Sequence, residues 1–335
     1  MPRLLRLATF NLETLDDRAA DFEERLAILK PQIERLRADV LCLQEVNAIE
    51  TAPKGPRRLA ALERLIAGTL YADYAIHSSR SRPGLRIADR HNLVILTHLP
   101  VLEIRQIWHD QVTAPLWRSA TRLPAKPEPE PIEWDRPILF VRLDLGLGRV
   151  LNLLNLHLRA PRAAYIAGQK ADRERWHRMD GWAEGFFVAG VKRLGQALEA
   201  RRLIDSLMDA DPESRIAVLG DFNAADREAP LRLIRGDPED TGNPRLARRA
   251  LVALERGLPE GQRFSIIHHG QPVLIDHILV SRPLLSWYRG IELHNEMLGD
   301  ELVSPMLAKG GPESYHAPMV ASFALPGRAR KKADP

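Results

Sequence analysis

Six short apolar runs of this chain end on, or enclose, a side chain that hydrocarbon surroundings cannot satisfy. Asn11 follows Leu7-Ala8-Thr9-Phe10, and Gln44-Glu45 follow Val40-Leu41-Cys42-Leu43. Asn155 and His157 lie inside 153–158, and Asp221 and Asn223 follow Val218-Leu219-Gly220. Asp276 sits within 274–279, and His316 precedes Ala317-Pro318-Met319-Val320. A buried polar group needs a partner or a ligand. One such residue is usually a satisfied core group. Six, spread from 11 to 316 at the ends of short strands, predict strand ends meeting at one pocket.

The runs also restrict the fold. Strands are expected at 4–10, 40–43, 92–97, 100–107, 138–143, 150–157, 216–219, 264–267, 274–280 and 319–325. Helices are expected at 21–36, where Phe22, Leu26, Leu29, Ile33 and Leu36 recur at helical spacing, and at 59–70 and 230–234. A longer helix over 171–208 is expected to break near Gly181 and Gly185. Strands and helices do not alternate strictly, and short connections such as His98-Leu99 predict antiparallel pairing. A doubly wound parallel sheet fits this poorly. The expected class is α/β (α+β): a four-layer sandwich of two mixed sheets packed face to face, with helices outside. Six prolines between 114 and 137 predict an extended, mobile surface loop.

A chain of this length fits a single sandwich-like unit. The 335 residues are 45% hydrophobic, enough for a large core, and domain boundaries of 1–326 are expected, with a disordered basic tail at 327–335. A formal charge of +4 from 48 basic and 44 acidic residues implies a mixed surface rather than a basic block. The single cysteine, Cys42, is expected to be a buried, inert thiol. No run is long enough to span a membrane, and the N-terminus lacks a secretory pattern, so a cytoplasmic protein is expected. No protein partner is implied.

In this order, Thr9-Phe10-Asn11, Leu43-Gln44-Glu45, Asn155-Leu156-His157-Leu158, Gly220-Asp221-Phe222-Asn223, Ile275-Asp276-His277-Ile278-Leu279 and Ser314-Tyr315-His316-Ala317-Pro318 resemble the motifs of the endonuclease/exonuclease/phosphatase superfamily, the DNase I-like fold. The resemblance spans nearly the whole chain. It implies metal-assisted in-line attack of water on a phosphodiester, with Mg2+ as the cofactor and Mn2+ as the alternative. Hard cations prefer carboxylate and amide oxygens, and the resemblance makes Glu45 and Asn11 the metal residues. It gives Asp221 the attacking water or a metal contact, and Asn223 a phosphate contact that also fixes Asp221. His316 becomes the site imidazole and Asp276 its orienting partner. His157 becomes a donor to the leaving oxygen, and its presence where abasic-site endonucleases carry Tyr leans away from that substrate. His277 should face the other way on a regular strand and be structural.

One departure stands out. The family has Asp before the final His, whereas here Tyr315 precedes His316, which favours one metal over two. A 160–208 insertion carries Arg162, Arg173, Arg175, Arg178, Arg193, Trp176 and Trp182, and Arg159 stands just before it. It reads either as a substrate-facing cap or as ordinary helices with a basic face. The acidic 295–301 stretch suggests no mechanism. The substrate expected is a phosphate ester, with DNA or RNA first. The alternatives are a phosphatase or phosphodiesterase for a small molecule or lipid headgroup, and a non-catalytic binding protein on the same fold.

Overall fold

The computed structural model describes residues 3–52, 55–82, 86–172, 174–300 and 314–327. Arg173, most of the 327–335 tail and Glu301 lie outside the described residues. The main strands are β1 (Leu4–Leu15), β2 (Val40–Val46), β3 (Ala75–Ser78), β4 (Asn92–Thr97), β5 (Val101–Ile107), β6 (Ile138–Gly146), β7 (Arg149–His157), β8 (Arg215–Asp221), β9 (Val252–Ala253), β10 (Asp276–Val280), β11 (Tyr288–Leu293) and β12 (Met319–Ala324). They form two six-stranded sheets, in the orders β11-β12-β1-β2-β4-β3 and β9-β10-β8-β7-β6-β5. Each sheet is mixed, because β1 pairs with β2 and β7 with β8 in parallel.

Helices α1 (Phe22–Leu36) and α2 (Ala60–Ile66) cover the outer face of the first sheet. Helices α3 (Met179–Ala210) and α4 (Ala229–Arg235) cover that of the second. The expected four-layer architecture is therefore the observed one. Among the described residues, no helix is long and apolar enough to cross a membrane.

Both faces of the central strands are covered, which explains why these strands are apolar throughout rather than alternating. Along β1, Leu5 and Leu7 point between the sheets while Ala8 and Phe10 point to the helices. Along β7, Leu151 and Leu153 point between the sheets while Leu154 and Leu156 face α3. Cys42 is buried in the inter-sheet layer, where loss of hydration pushes its thiol pKa well up and keeps it inert.

The inter-sheet layer changes character along the strands. Aliphatic residues give way to Thr9, Gln44 and Asn155, and the two amides bridge the sheets. Gln44 Nε2 donates to Asn155 Oδ1 at 2.8 Å, and Asn155 Nδ2 donates to the Leu43 and Val94 carbonyls at 3.2 and 2.9 Å. Asn155 is thus a satisfied tie between sheets rather than a pocket residue.

Several local expectations change. β4 and β5, joined by three residues, do not pair. β4 lies between β2 and β3, and among the described residues β5 pairs only with β6, in the other sheet. Burial gives the reason: β4 is buried at every position, as a central strand must be, whereas β5 is largely exposed and forms an edge. The long helix does not break at Gly181 or Gly185. These glycines admit close neighbours, since a Cβ would fall 2.3 Å from Gln169 Oε1 at the first and 2.4 Å from the Ala164 carbonyl at the second. The 114–137 segment is anchored rather than free. Buried Glu184 accepts from Trp117 Nε1 and from the Ala120 and Thr121 amides at 2.9, 3.0 and 2.8 Å. Trp134 Nε1 donates to buried Glu199 at 2.8 Å.

Candidate active site

The ionisable side chains begin where the bridging amides end, at one edge of the inter-sheet layer. β1 was expected to stop at Phe10 but runs to Leu15, with a register shift between Asn11 and Leu15. Glu13 and Thr14 adopt φ of 46° and 58° there. β2 has its own shift between Leu43 and Val46, where Glu45 has φ of 61°. Such irregularities re-aim side chains at strand ends, and here they bring Glu13 and Glu45 near the pocket. Thr14 Oγ1 donates to Glu45 Oε2 at 3.1 Å.

The second sheet supplies the opposite wall. Asp221 ends β8 and pairs in register with Asp276, which begins β10, so two buried carboxylates sit side by side. Gly220, just before, has φ of 141°, and a Cβ there would lie 1.9 Å from the Leu156 carbonyl. Only glycine fits this approach of β8 to β7. The turn then folds back on itself. Asp221 Oδ1 accepts the Asn223 backbone N–H at 2.7 Å, and Asn223 Nδ2 donates to Asp221 Oδ2 and the Leu158 carbonyl at 3.0 and 3.1 Å. Asn223 thus holds the Asp221 carboxylate through its backbone and its side chain.

Asn11 spans the two walls. Its Nδ2 donates to Asp221 Oδ2 at 3.0 Å and lies 3.4 Å from His316 Nε2. His316 Nδ1 is 2.8 Å from Asp276 Oδ2, the orienting contact expected from sequence. His157 Nε2 lies 3.3 Å from Asp221 Oδ2 and 3.7 Å from Glu45 Oε1. Asn11, Glu45, His157, Asp221, Asn223, Asp276 and His316 are therefore all brought together. His277 points away, as expected: its Nε2 is 2.8 Å from the Ala224 carbonyl, and its Nδ1 meets Glu255 in the outer layer.

Electrostatics separates the groups. Burial and the Asp276 carboxylate raise Asp221 to about 7, against the pull of His316, the Asn223 amide and Asn11. Burial disfavours the charged form of His316, but Asp276, then Asp221 and Glu13, outweigh it and raise the imidazole to about 10. Burial and the Arg136 charge push His157 well below its ordinary value, so it is neutral. Burial also works against ionised Glu45, but the His91 contact, helped by the Arg136 charge, prevails and holds it well below the usual range.

Two residues escaped the sequence reading. Glu13 shares the site, and burial raises its carboxyl despite the Tyr315 backbone N–H, which donates to its Oε2 at 2.8 Å. Its signal was the Asn11-x-Glu13 alternation, hidden once the strand was ended at Phe10. Arg136 directs its charge at Glu45 and Asp221 from the end of the proline-rich segment. No hydrogen bond from its guanidinium to the described residues is formed. Arg159 and the arginines of the insertion are mostly committed elsewhere: Arg159 pairs with Asp135, Arg175 with Asp172, Arg178 with Asp180 and Arg193 with Glu228.

One ligand atom each from Asp221, Asp276 and His316 lie within 4.8 Å of one another, a spacing that can hold an ion. A second acidic pair, Glu13 and Glu45, lies on the other wall, close enough for Glu45 to raise the Glu13 carboxyl.

A sequence model of the Endonuclease/Exonuclease/phosphatase family matches residues 8–296. A search of curated proteins gives no match. Among solved structures, truncated TDP2 of Caenorhabditis elegans is similar with a TM-score of 0.56 and 16% identity, over 96% of this chain and 98% of that one. An endonuclease/exonuclease/phosphatase from Bacteroides vulgatus has a TM-score of 0.56 and 14% identity, over 97% and 100%. An AP endonuclease from Archaeoglobus fulgidus has 0.52 and 16%, over 96% and 100%. Identities this low speak to the fold alone.

Proposed function

The chain belongs to the endonuclease/exonuclease/phosphatase family, and from that premise we propose that it is a divalent-metal-dependent hydrolase of phosphodiesters, with residues 1–326 as one catalytic unit. The observation that carries this reading is the opposition of Asp221 and His316. A carboxyl raised to about 7 and an imidazole raised to about 10 share one pocket. Groups whose environments drive them apart in this way are suited to acid and base roles.

His316 is already protonated at neutral pH, so it cannot be the base. It offers charge and a proton to the phosphate oxygens, oriented by Asp276. Asp221 takes the proton of the attacking water, while Asn223 and Asn11 hold its carboxylate. His157 is neutral, which narrows its expected role to a hydrogen bond toward the leaving oxygen. The guanidinium of Arg136, without a hydrogen bond among the described residues, suits a phosphate oxygen.

For the cation, Glu45 and Glu13 with Asn11 fit best. They are hard oxygen donors, and two facing carboxylates in a half-buried corner are relieved by a divalent charge. The Asp221–Asp276–His316 group fits less well, because an imidazolium has no lone pair to give. What Mg2+ bound at Glu45 supplies is polarisation of a phosphate oxygen. Mn2+ has similar oxygen preferences.

Nucleic acid is the first substrate to test. A compact phosphodiester or lipid headgroup is the second, favoured by the internal pairing of the insertion arginines, which leaves little free basic track for a polyanion. A cytoplasmic setting belongs to the same reading, supported by the lone buried thiol of Cys42. The test is hydrolysis of bis-p-nitrophenyl phosphate with Mg2+, its loss in EDTA, and a panel of single-stranded, duplex and abasic DNA, RNA and phosphomonoesters. Activity that survives EDTA, or cleavage of monoesters only, would overturn the proposal.

A further inference from the structure

Helix α3 is longer than the sheet it covers. Its 32 residues span ~48 Å, whereas the 7 residues of β8 span ~23 Å. A short link, 211–214, joins the end of α3 to the start of β8. The two therefore run antiparallel, and the surplus of α3 lies beyond the catalytic end of β8, past Asp221. The contacts agree. Arg193 pairs with Glu228, just after the Asp221–Asn223 turn, and Lys192 pairs with Asp135 at 2.6 Å. Residues 179–192 thus rise past the strand ends as a wall.

One face of the wall continues the face that packs below it. Trp182 and Ala200, and likewise Phe186 and Ile204, stand about five full turns apart, so each pair projects from α3 in one direction. Ala200 and Ile204 are buried in the core between α3 and the second sheet. Trp182 and Phe186, with no sheet beneath them, are 40% and 46% exposed. Their rings stack at 5.6 Å between centroids and 27° between planes. Gly190 keeps the face clear between these rings and Arg193, because among the described residues nothing lies within 4 Å of where a Cβ would be. Phe186 stands ~10 Å above the level of Arg193.

The foot of the wall is positive. Arg159 and Lys192 share one carboxylate, Asp135, and Arg136 beside it makes three cations against one anion. Arg136 also acts on Glu45 and Asp221, so this foot adjoins the catalytic pocket. An anionic chain leaving the pocket meets these cations first and the two rings next.

We propose that Trp182 and Phe186 form a stacking platform for the unpaired bases of a single-stranded nucleic acid whose phosphodiester lies at the Asp221–His316 pocket; this rests on the hydrolase reading above and narrows its substrate. Two near-parallel, exposed rings offer their faces to a base, and every base has a matching face, so the contact tolerates any sequence. The cations stand where phosphates reach the catalytic edge, and they position a strand without reading it. Stacking supplies affinity without the long basic track that this surface lacks. A duplex keeps its base faces stacked inside and has none to offer. An anionic bilayer would meet the tip of the wall, where Arg178 is already paired with Asp180.

The test is equilibrium binding by the full chain in EDTA, which stops turnover, read from the fluorescence anisotropy of a labelled oligothymidylate. The competitors are a base-free strand carrying the same number of phosphates on propanediol linkers and a duplex of the same length. Wild type should hold the oligothymidylate ~10-fold or more tightly than the base-free strand, and more tightly than the duplex. Trp182→Ala and Phe186→Ala should each bring the preference for bases toward one, with circular dichroism unchanged. Trp182→Phe keeps a ring and should retain most of the preference. Equal binding of the base-bearing and base-free strands by wild type would overturn the proposal. So would tighter binding of the duplex, or a preference that survives both Ala substitutions. Binding to phosphatidylglycerol vesicles that is lost in Phe186→Ala, with no preference for bases, would overturn it in favour of a lipid surface. Hydrolysis of bis-p-nitrophenyl phosphate with Mg2+ separates the two readings. A wild type that hydrolyses it but ignores bases refutes the platform alone, and one that prefers bases but hydrolyses nothing refutes the hydrolase reading alone.

Discussion

Replacing Asp276 by Asn keeps the shape of the carboxyl and removes its charge, which bears on His316 at the alkaline limb of the rate profile and on Asp221 at the acid limb. Asp276 and His316 meet at 2.8 Å, and the imidazole stands at about 10 against an ordinary 6.5. An opposite charge at this range is worth ~1–3 pKa units, so the imidazole of Asp276→Asn should titrate at ~7–9. A group with a raised pKa is protonated below that value and loses its charge as pH rises through it. The alkaline limb of the rate profile therefore moves down in the variant. For a variant pKa of ~8, roughly 3% of the imidazolium survives at about pH 9.5, a deficit of ~20-fold against wild type, whereas near pH 6.5 the two differ only severalfold. Initial rates on bis-p-nitrophenyl phosphate with Mg2+, quenched to one pH before reading, give both limbs. A variant that loses the same factor at every pH would refute the reasoning, because Asp276 would then matter for placement and not for the charge of His316.

Asp221→Asn should lower the rate at least ~10²-fold, and wild-type activity should fall about tenfold per pH unit below about 7 as the Asp221 carboxyl protonates, read from the same profiles. Glu13→Gln should raise the Mg2+ concentration for half-maximal rate about tenfold or more while sparing the folded state, measured by metal titration with thermal melts alongside. Gly220→Ala should destabilise the protein by about 3 kcal/mol or more in urea titrations, because the clash with the Leu156 carbonyl is with backbone and cannot relax by a rotamer change. Glu184→Ala strands the Trp117 indole and the Ala120 and Thr121 amides. It should lower stability by ~2–4 kcal/mol and expose the 114–137 segment to proteolysis first.

The layers and most of the site were legible in the sequence because the relevant signals are local. An apolar run that ends in Asn11, Glu45, Asp221 or His316 announces both a buried strand and a group needing a partner. What escaped depends on distant neighbours. Glycine content argued for a break in α3, but Gly181, Gly185 and Gly195 are there to admit Gln169, Ala164 and Trp134, none of which is adjacent in sequence. Proline content argued for a free loop at 114–137, yet Glu184 and Glu199, more than 60 positions away, hold it in place. Arg136 was hidden at the end of that segment, and Glu13 behind a strand irregularity that alternation alone does not reveal. The short link between β4 and β5 looked like a hairpin, because loop length does not record which sheet a strand joins.

Residues 101–280 build the second sheet, while the first is assembled from 4–97 and 288–324, segments from either side of it. Asn11, Glu13 and Glu45 ride on one sheet and His157, Asp221 and Asp276 on the other. The Gln44–Asn155 tie fixes how far one sheet can slide over the other. Turnover is therefore a gauge of alignment between the two slabs. In refolding, secondary structure should return before activity does, and a substitution at Asn155, whose side chain is spent on the tie between sheets, should widen the lag between the two signals.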